Sequence, residues 1–183
     1  MPASESSSIP VTQAFSVTGL PESQVTLDVA LRLESLLAQV GAKTLLTRRT
    51  DTAVPPEERV RLAIREAPDL VLSIHTDVGP ASTRPGPCCY YHAPSPAARR
   101  LTGYLEEELV AKSSLPDRGA AEIDLGLWTK VRAPVVLVEL APIGSRLQEG
   151  LLRGWDFRQK LAQALFNGLR RYLAEKNRLS CAI

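Results

Sequence analysis

The sequence predicts a single α/β domain in which a largely parallel, twisted sheet is covered by helices on both faces. Its 183 residues suit one domain with a sizeable core. Two runs, at 70–74 (LVLSI) and 134–140 (PVVLVEL), are almost continuously apolar, which is typical of strands buried on both faces. These runs alternate with segments of helical periodicity, and this alternation favours a parallel sheet with helical crossovers.

The first half of the chain predicts two helices and two strands. Pro21 and Glu22 open one helix, which stops at Gly41, because an apolar stripe recurs between them at helical spacing. The stripe consists of Val25, Val29, Leu33, Leu36 and Val40. A short strand is expected at 44–47 (TLLT). Pro55 and Pro56 start a second helix, with acids in its first turn, and the next strand ends at His75.

The second half predicts further strands and two helices. A strand is expected at 87–92, and Ser95 then caps a helix that is followed by a loop at 115–119. A weak strand at 125–129 precedes the apolar strand at 134–140. The inner faces of the two helices are formed by Leu101, Leu105 and Leu109, and by Phe157, Leu161, Ala164, Leu165, Leu169 and Tyr172.

The composition excludes several classes of function. The formal net charge of +2 is too small to indicate nucleic acid or a membrane surface as a partner. No apolar run approaches the roughly 20 residues of a membrane span. The first eight residues, MPASESSS, lack the basic start and apolar stretch of a secretory signal, so we expect no signal peptide in the chain as given.

Three cysteines are too few for a disulfide framework. Cys88 and Cys89 are adjacent in a predicted strand, so their side chains should point to opposite faces of the sheet. We expect buried or half-buried free thiols. A thiolate that binds a metal is the alternative.

Three polar residues stand out at the edges of predicted elements. His75 ends one strand, Glu139 lies near the carboxyl end of another, and Glu22 begins a helix. The carboxyl edge of such a sheet is where α/β proteins place their chemistry. A carboxylate in so apolar a strand as that of Glu139 is costly to bury unless it is paired, metal-associated or functional. Each residue also has an ordinary interpretation: a hydrogen-bonded histidine, a salt-bridged glutamate and a helix-start acid.

Several segments follow one another in a recognisable order between Gly19 and Leu173. They are GLPESQVTLDVALRLESLLAQVGAKTLLTRRTD, EERVRLAIREAPDLVLSIHTD, SPAARRLTGYLEEEL, LPDRG, and APVVLVEL with the helix after it. In this order the chain resembles the zinc-dependent N-acetylmuramoyl-L-alanine amidases, the catalytic domain of bacterial cell-wall hydrolases. The segment that starts at Gly19 resembles the family's metal-binding glutamate, long helix and LTR-x-x-D sequence. The segment that ends at Asp77 resembles its E-R-x-x-x-A helix and S-I-H strand.

The resemblance implies a function and roles for matching positions. Glu22 and His75 would be zinc ligands, and Glu139 would be the catalytic carboxylate beside the metal. The reaction implied is zinc-dependent hydrolysis of the amide that joins N-acetylmuramic acid to L-alanine. The partners would be peptidoglycan or muropeptides, and the place of action would be extracytoplasmic, in the periplasm or cell wall.

Three arginines, Arg49, Arg59 and Arg118, also match positions of the family. Structural ion pairs that order loops are a more ordinary interpretation of these residues than contact with substrate. The resemblance says nothing about the oligomeric state.

The chain departs from the family pattern at one metal ligand. The family's first strand normally ends in a D-x-G-H-G-G segment that supplies a further histidine. Counting back from Glu22 by the usual interval leads to Ser8, in a polar stretch without histidine. The sequence after Glu139 also differs, with an alanine and a proline where the family has Gly-Phe. Two protein ligands would bind zinc weakly or not at all, since catalytic sites usually supply three.

Three hypotheses explain the missing histidine. The chain begins after strand one, or it is a catalytically impaired homologue that acts as a peptidoglycan-binding or regulatory domain, or His92, Asp77 or a cysteine replaces the ligand. We slightly favour an amidase by descent and keep the impaired homologue as the alternative. The expected organisation is a polar segment at 1–18, with a short strand at 9–15 as a remnant of strand one, an amidase-like domain at 19–177 and a tail at 178–183.

Overall fold

The computed structural model describes residues 18–76, 84–92 and 95–180, with side chains described as far as Lys176. Within these ranges one sheet contains the strands β1 (Val71–His75), β2 (Cys88–Tyr91), β3 (Ala120–Glu122) and β4 (Val135–Glu139). The helices are α1 (Glu22–Ala38), α2 (Pro56–Glu66), α3 (Pro96–Ser113), α4 (Arg146–Arg153), α5 (Trp155–Ser180) and a 3₁₀ helix at Gly126–Lys130. None of these described helices has both the length and the apolar character of a membrane span.

The sheet is mixed, with the strand order β1–β4–β2–β3. β1 is parallel to β4 and β2 is parallel to β3, as a largely parallel sheet predicts, but β2 and β4 are antiparallel. The α/β class and the mostly parallel sheet are therefore confirmed. The antiparallel pair has one consequence for the site, because it sets Cys88 at the start of β2 opposite Glu139 at the end of β4.

Helices cover both faces of the sheet, as the sequence predicts. Val136 and Val138 of β4 lie in the larger core, which α1, α3 and α5 complete. Val135 and Leu137 contact a smaller core formed with α2 and the 3₁₀ helix. Successive side chains of a strand point to opposite faces. The continuous apolar run of β4 is therefore what a strand between two cores requires.

Local capping signals locate the helix starts. The Ser95 hydroxyl oxygen accepts a hydrogen bond from the Ala98 N–H at 3.1 Å, and Pro96 occupies the first turn of α3. The second predicted start, at Pro55 and Pro56, is also confirmed, with Pro55 at the N-cap and Pro56 as the first residue of α2. The chain leaves α1 through Gly41, whose φ of +73° is a left-handed conformation that glycine adopts without strain.

Two expected strands are absent from their predicted positions. Residues 44–47 form no strand and alternate between half-buried and exposed, with Leu45 58% exposed. A short extended segment gains ladder hydrogen bonds only beside another strand, and none of the described strands pairs with it. The strand predicted at 125–129 is also wrong, because the 3₁₀ helix begins at Gly126, where φ is +55°, directly after Leu125. β3 comes earlier, at 120–122.

Two helices in the second half of the chain also differ from the sequence prediction. The short and largely polar helix α4 was not predicted, and α5 runs to Ser180, into the segment expected as a tail. The strand expected at 9–15 lies outside the described residues, as does all of the polar N-terminal segment except Thr18.

α5 packs tightly against α3 at Gly168. A Cβ atom there would lie 3.0 Å from the Leu105 Cα and 3.0 Å from the Tyr104 carbonyl oxygen. We expect Gly168→Ala to lower the free energy of unfolding by about 1–2 kcal/mol, because the two helices must move apart. Urea denaturation measures this change.

Gly103→Ala is the matched control, since Gly103 is also helical and a Cβ there meets nothing within 4 Å. Its expected effect is a neutral or stabilising change of up to about 1 kcal/mol from helix propensity. Equal stability of the two variants would contradict the close helix contact.

Candidate active site

The ladder between β1 and β4 sets His75 level with Glu139 at the carboxyl ends of both strands. The His75 carbonyl accepts a hydrogen bond from the Leu140 N–H at 2.9 Å, and the Val71 N–H donates to the Pro134 carbonyl at 2.9 Å. Backbone hydrogen bonds thus continue the pairing to both ends of the two strands. Directly opposed residues of paired strands project from the same face. His75 and Glu139 therefore share one face and one edge of the sheet.

The start of α1 brings Glu22 to the end of β1. Glu22 Oε1 lies 3.2 Å from His75 Nδ1 and accepts a hydrogen bond from the Thr76 N–H at 3.1 Å. On the other side of the ring, Ser73 Oγ lies 3.0 Å from His75 Nε2. Both side chains are partly buried, with 32% of His75 and 23% of Glu22 exposed. Glu22, His75 and Glu139 thus lie at one edge of the sheet, with Glu22 and His75 in side-chain contact and Glu139 paired with His75 through the backbone.

Two arginines flank the start of α1. The Arg48 guanidinium donates to the Ser23 carbonyl at 2.6 Å and to the Thr26 hydroxyl at 3.3 Å. Arg59 of α2 lies close by. Burial lowers the pKa of Arg59, the charge of Arg48 lowers it further, and the charge of Glu22 raises it. Glu22 therefore faces cations as well as His75.

The other two matched arginines differ in their surroundings. Arg49 makes a two-point ion pair with Glu34, with distances of 2.9 and 2.5 Å. This hydrogen-bonded pair raises the pKa of Arg49 and lowers that of Glu34. Arg118 lies nearer the active edge. Its effect on two residues of β2 indicates this, because its charge opposes the rise in the pKa of Cys88 and of Tyr90. Arg49 therefore forms a structural ion pair with Glu34. Arg118 belongs to the surroundings of the active edge.

The antiparallel pairing continues the row of His75 and Glu139 onto a third strand. Cys88 lies opposite Glu139, and its thiol donates to the Gly119 carbonyl at 3.2 Å. Burial raises the pKa of the Cys88 thiol, and it raises the pKa of Cys89 further on the other face of the sheet. Both cysteines are buried free thiols, as expected.

A third metal ligand is not evident within residues 18–76, 84–92 and 95–176. In these ranges no three His, Cys, Asp or Glu side chains lie close enough together to hold a metal ion. His92 follows β2, which runs antiparallel to β4, and its Nδ1 lies 3.4 Å from the Ile123 carbonyl. The hypothesis that His92 replaces the ligand is therefore wrong, because the strand carries it to the opposite end of the sheet. Asp77 lies outside the described residues.

Sequence reasoning missed one buried acid near this edge. Glu106 of α3 is 6% exposed. Burial raises its pKa to about 7, the nearby Asp117 carboxyl raises it too, and the Cys89 thiol and the Gly119 N–H oppose the rise. The available signal was its spacing of three residues from the buried Leu109, which puts both on neighbouring positions of one helix face.

The sequence matches a family model described as N-acetylmuramoyl-L-alanine amidase over residues 12–171. It is 34% identical over 152 residues to the N-acetylmuramoyl-L-alanine amidase LytC of Bacillus subtilis, covering 82% of this chain and 31% of LytC. It is 32% identical over 171 residues to an N-acetylmuramoyl-L-alanine amidase of Mycobacterium tuberculosis, covering 86% of this chain and 70% of that protein. The chain thus spans less than a third of the length of LytC.

Solved structures agree with the sequence comparison. The N-acetylmuramoyl-L-alanine amidase AmiC2 of Nostoc punctiforme has a TM-score of 0.81 at 25% identity, covering 88% of this chain and 89% of that one. The catalytic domain of the amidase CwlV from Bacillus (Paenibacillus) polymyxa var. colistinus has a TM-score of 0.81 at 26% identity, covering 88% and 90%. By sequence and by fold, this chain belongs to the N-acetylmuramoyl-L-alanine amidase family.

Proposed function

We propose that this chain hydrolyses the amide bond between N-acetylmuramic acid and L-alanine in peptidoglycan, with zinc as cofactor. The observation that supports the proposal most is the contact of Glu22 with His75 at the sheet edge where Glu139 lies opposite His75 in the ladder. These are the residue types that a zinc hydrolase needs, namely neutral imidazole and carboxylate ligands with a further carboxylate as general base.

The spacing of two ligand atoms fits a zinc site. His75 Nδ1 and Glu22 Oε1 are 3.2 Å apart, and the corners of a tetrahedral site with bonds of about 2.0–2.1 Å lie about 3.3–3.4 Å apart. A zinc ion held there would supply Lewis acidity, polarising the amide carbonyl and lowering the pKa of water. The described residues offer two protein ligands, so the affinity of this chain for zinc is the quantity to measure first.

The surroundings of the two ligands hold them in place. The Thr76 N–H donates to Glu22 Oε1, and the Arg48 guanidinium binds the first turn of α1 through the Ser23 carbonyl. Ser73 Oγ lies within hydrogen-bonding distance of His75 Nε2 and orients the ring. Such outer contacts fix the direction of a ligand's lone pair and raise metal affinity.

Glu139 is assigned the proton transfers. Its backbone is paired with His75, so its carboxylate belongs to the face and the edge where the ligands lie. A carboxylate in this position would take a proton from the attacking water and return it to the leaving amine. Without that proton the amine would be a poor leaving group. Glu139 is partly buried, and exclusion of water strengthens its interaction with developing charge.

The substrate and the place of action rest on relatives. A probable cell wall amidase of Staphylococcus aureus, LytH, is 30% identical over 153 residues, covering 84% of this chain and 50% of that protein. We propose that peptidoglycan or its fragments are the substrate here too, and that the chain acts outside the cytoplasm.

Replacement of Glu139 tests the assignment of the general base. We expect Glu139→Gln to lower the rate of amide cleavage by about 100- to 10,000-fold, since an amide accepts no proton, and to leave bound zinc unchanged. Release of peptides from purified peptidoglycan and elemental analysis measure the two effects. Glu57→Gln, an exposed acid of α2, is the control and should keep the wild-type rate. Full turnover by Glu139→Gln would show that another group is the base.

The two histidines form a matched pair for the metal site. We expect His75→Ala to weaken zinc binding by about 100-fold or more, because one of the two assigned ligands is lost. His92→Ala removes the same side chain at the far end of the sheet and should leave zinc affinity unchanged. Equilibrium dialysis measures both. Equal losses in the two variants would contradict the assigned site.

The shortage of described metal ligands favours one alternative function, that of a catalytically impaired peptidoglycan-binding or regulatory domain. Retention on insoluble peptidoglycan, without zinc and without cleavage even when zinc is added, would support this alternative against the hydrolase.

A further inference from the structure

Glu106 is a buried acid that the proposed hydrolysis leaves without a role. It lies on α3 and is 6% exposed, and neither carboxyl oxygen makes a hydrogen bond of good geometry. The buried Glu149 differs, since it accepts a hydrogen bond from the Thr18 N–H at 2.9 Å. Burial of an ionised carboxylate without such partners is costly, so the proton on Glu106 matters for the structure around it.

The neighbours of Glu106 belong to β2 and to the turn 117–119. The Cys89 thiol, the Asp117 carboxyl and the Gly119 N–H lie close enough to act on it. Burial is the largest of the effects that raise the pKa of Glu106 to about 7, and the Asp117 carboxyl raises it as well. Two carboxyl groups in proximity favour a state in which one of them keeps a proton.

The turn 117–119 is joined to the strand beside Glu139. The Gly119 N–H donates to Asp117 Oδ1 at 2.7 Å, and Gly119 has a φ of +83°. The Gly119 carbonyl accepts from the Cys88 thiol at 3.2 Å and from the Cys89 N–H at 3.4 Å. Because Cys88 is also paired with Glu139, it joins this turn to the active edge.

The middle residue of the turn, Arg118, carries a positive charge toward the face on which Glu139 lies. Its charge opposes the rise in the pKa of both Cys88 and Tyr90. Cys88 and Tyr90 point to the same side as Glu139, because they lie opposite Glu139 and Leu137 in the ladder. The position of the turn therefore decides where this cation stands relative to Glu139.

We propose that Glu106 is a positioning residue, which in its protonated form donates a hydrogen bond to the Asp117 carboxylate and so holds the 117–119 turn, with Arg118, against the active edge. Loss of the proton leaves two adjacent carboxylates that repel each other, and the turn loosens. The effect on hydrolysis rests on the proposed function, but the effect on the turn does not.

The direction of the pH dependence follows from the raised pKa. A carboxyl whose pKa is higher in the closed turn than its ordinary value of 4.5 holds its proton more tightly there. The closed turn is thus favoured at low pH, and this advantage is lost as the pH rises from about 4.5 through about 7. The titratable groups that act on Glu106 most are the Asp117 carboxyl and the Cys89 thiol. Glu106 and Glu139 both act on the two thiols of β2, and Arg118 acts on Cys88. On the α5 side, Arg171 pairs with Glu107 and Glu108 instead.

Hydrogen exchange of the 115–122 peptide tests the proposal without any need for activity. After correction for intrinsic rates, we expect protection of the wild-type turn to fall about tenfold between about pH 6 and about pH 8.5, as Glu106 ionises. Glu106→Gln keeps a donor without a charge, and its protection should change less than about twofold. Glu107→Gln, the exposed neighbour, is the control and should behave as wild type. Wild-type protection that does not change with pH would overturn the proposal.

A second variant and a rate measurement complete the test. Glu106→Leu has neither donor nor charge, so its turn should exchange rapidly at both pH values. Slow hydrogen exchange of the 115–122 peptide in this variant would also overturn the proposal. For hydrolysis, the rate of wild type should fall above about pH 7 and that of Glu106→Gln should not. The same fall in Glu106→Gln would refute the link to hydrolysis. If hydrogen exchange behaves as expected but the protein cleaves no peptidoglycan, the proposed role of Glu106 in the turn is supported and the proposed function is refuted.

Discussion

The parallel pairing of β1 with β4 is the constraint on which the candidate site depends. It sets His75 opposite Glu139, and hydrogen bonds from Val71 to Pro134 and from Leu140 to His75 close the ladder at its two ends. A slip of one residue would turn every side chain of one strand to the other face. It would separate the two site residues and also move valines of β4 out of their cores. The packing that stabilises the domain thus also enforces the register of the site.

The remaining parts of the edge are attached to this pair through backbone groups. Glu22 accepts from the N–H of Thr76, the residue that follows β1, so the acid is positioned by the end of the strand as well as by its own helix. On the other side of β4, Cys88 of β2 lies opposite Glu139. The Cys88 thiol donates to the Gly119 carbonyl, which belongs to the turn that carries Arg118. Residues distant in sequence are therefore joined to one another at this edge.

Local signals were enough to predict the elements that form this edge. Proline and serine starts located α2 and α3, and apolar runs located the strands that end at His75 and Glu139. Pairing direction depends on tertiary contacts, and the antiparallel β2 was therefore not predicted. Residues 44–47 have strand composition but no ladder partner among the described strands. Glu106 was missed because its helical spacing from Leu109 indicates burial but does not reveal the Asp117 carboxyl and the Gly119 N–H, which act on it from beyond its helix.

We propose that His75 and Glu22 together hold a zinc ion beside Glu139. Crystals of the full chain grown with zinc, with diffraction recorded on both sides of the zinc absorption edge, locate the metal. We expect one strong anomalous peak bonded to the side chains of His75 and Glu22, next to the Glu139 carboxylate. A peak at His92 or at the thiols instead, or no peak at this edge, would contradict it.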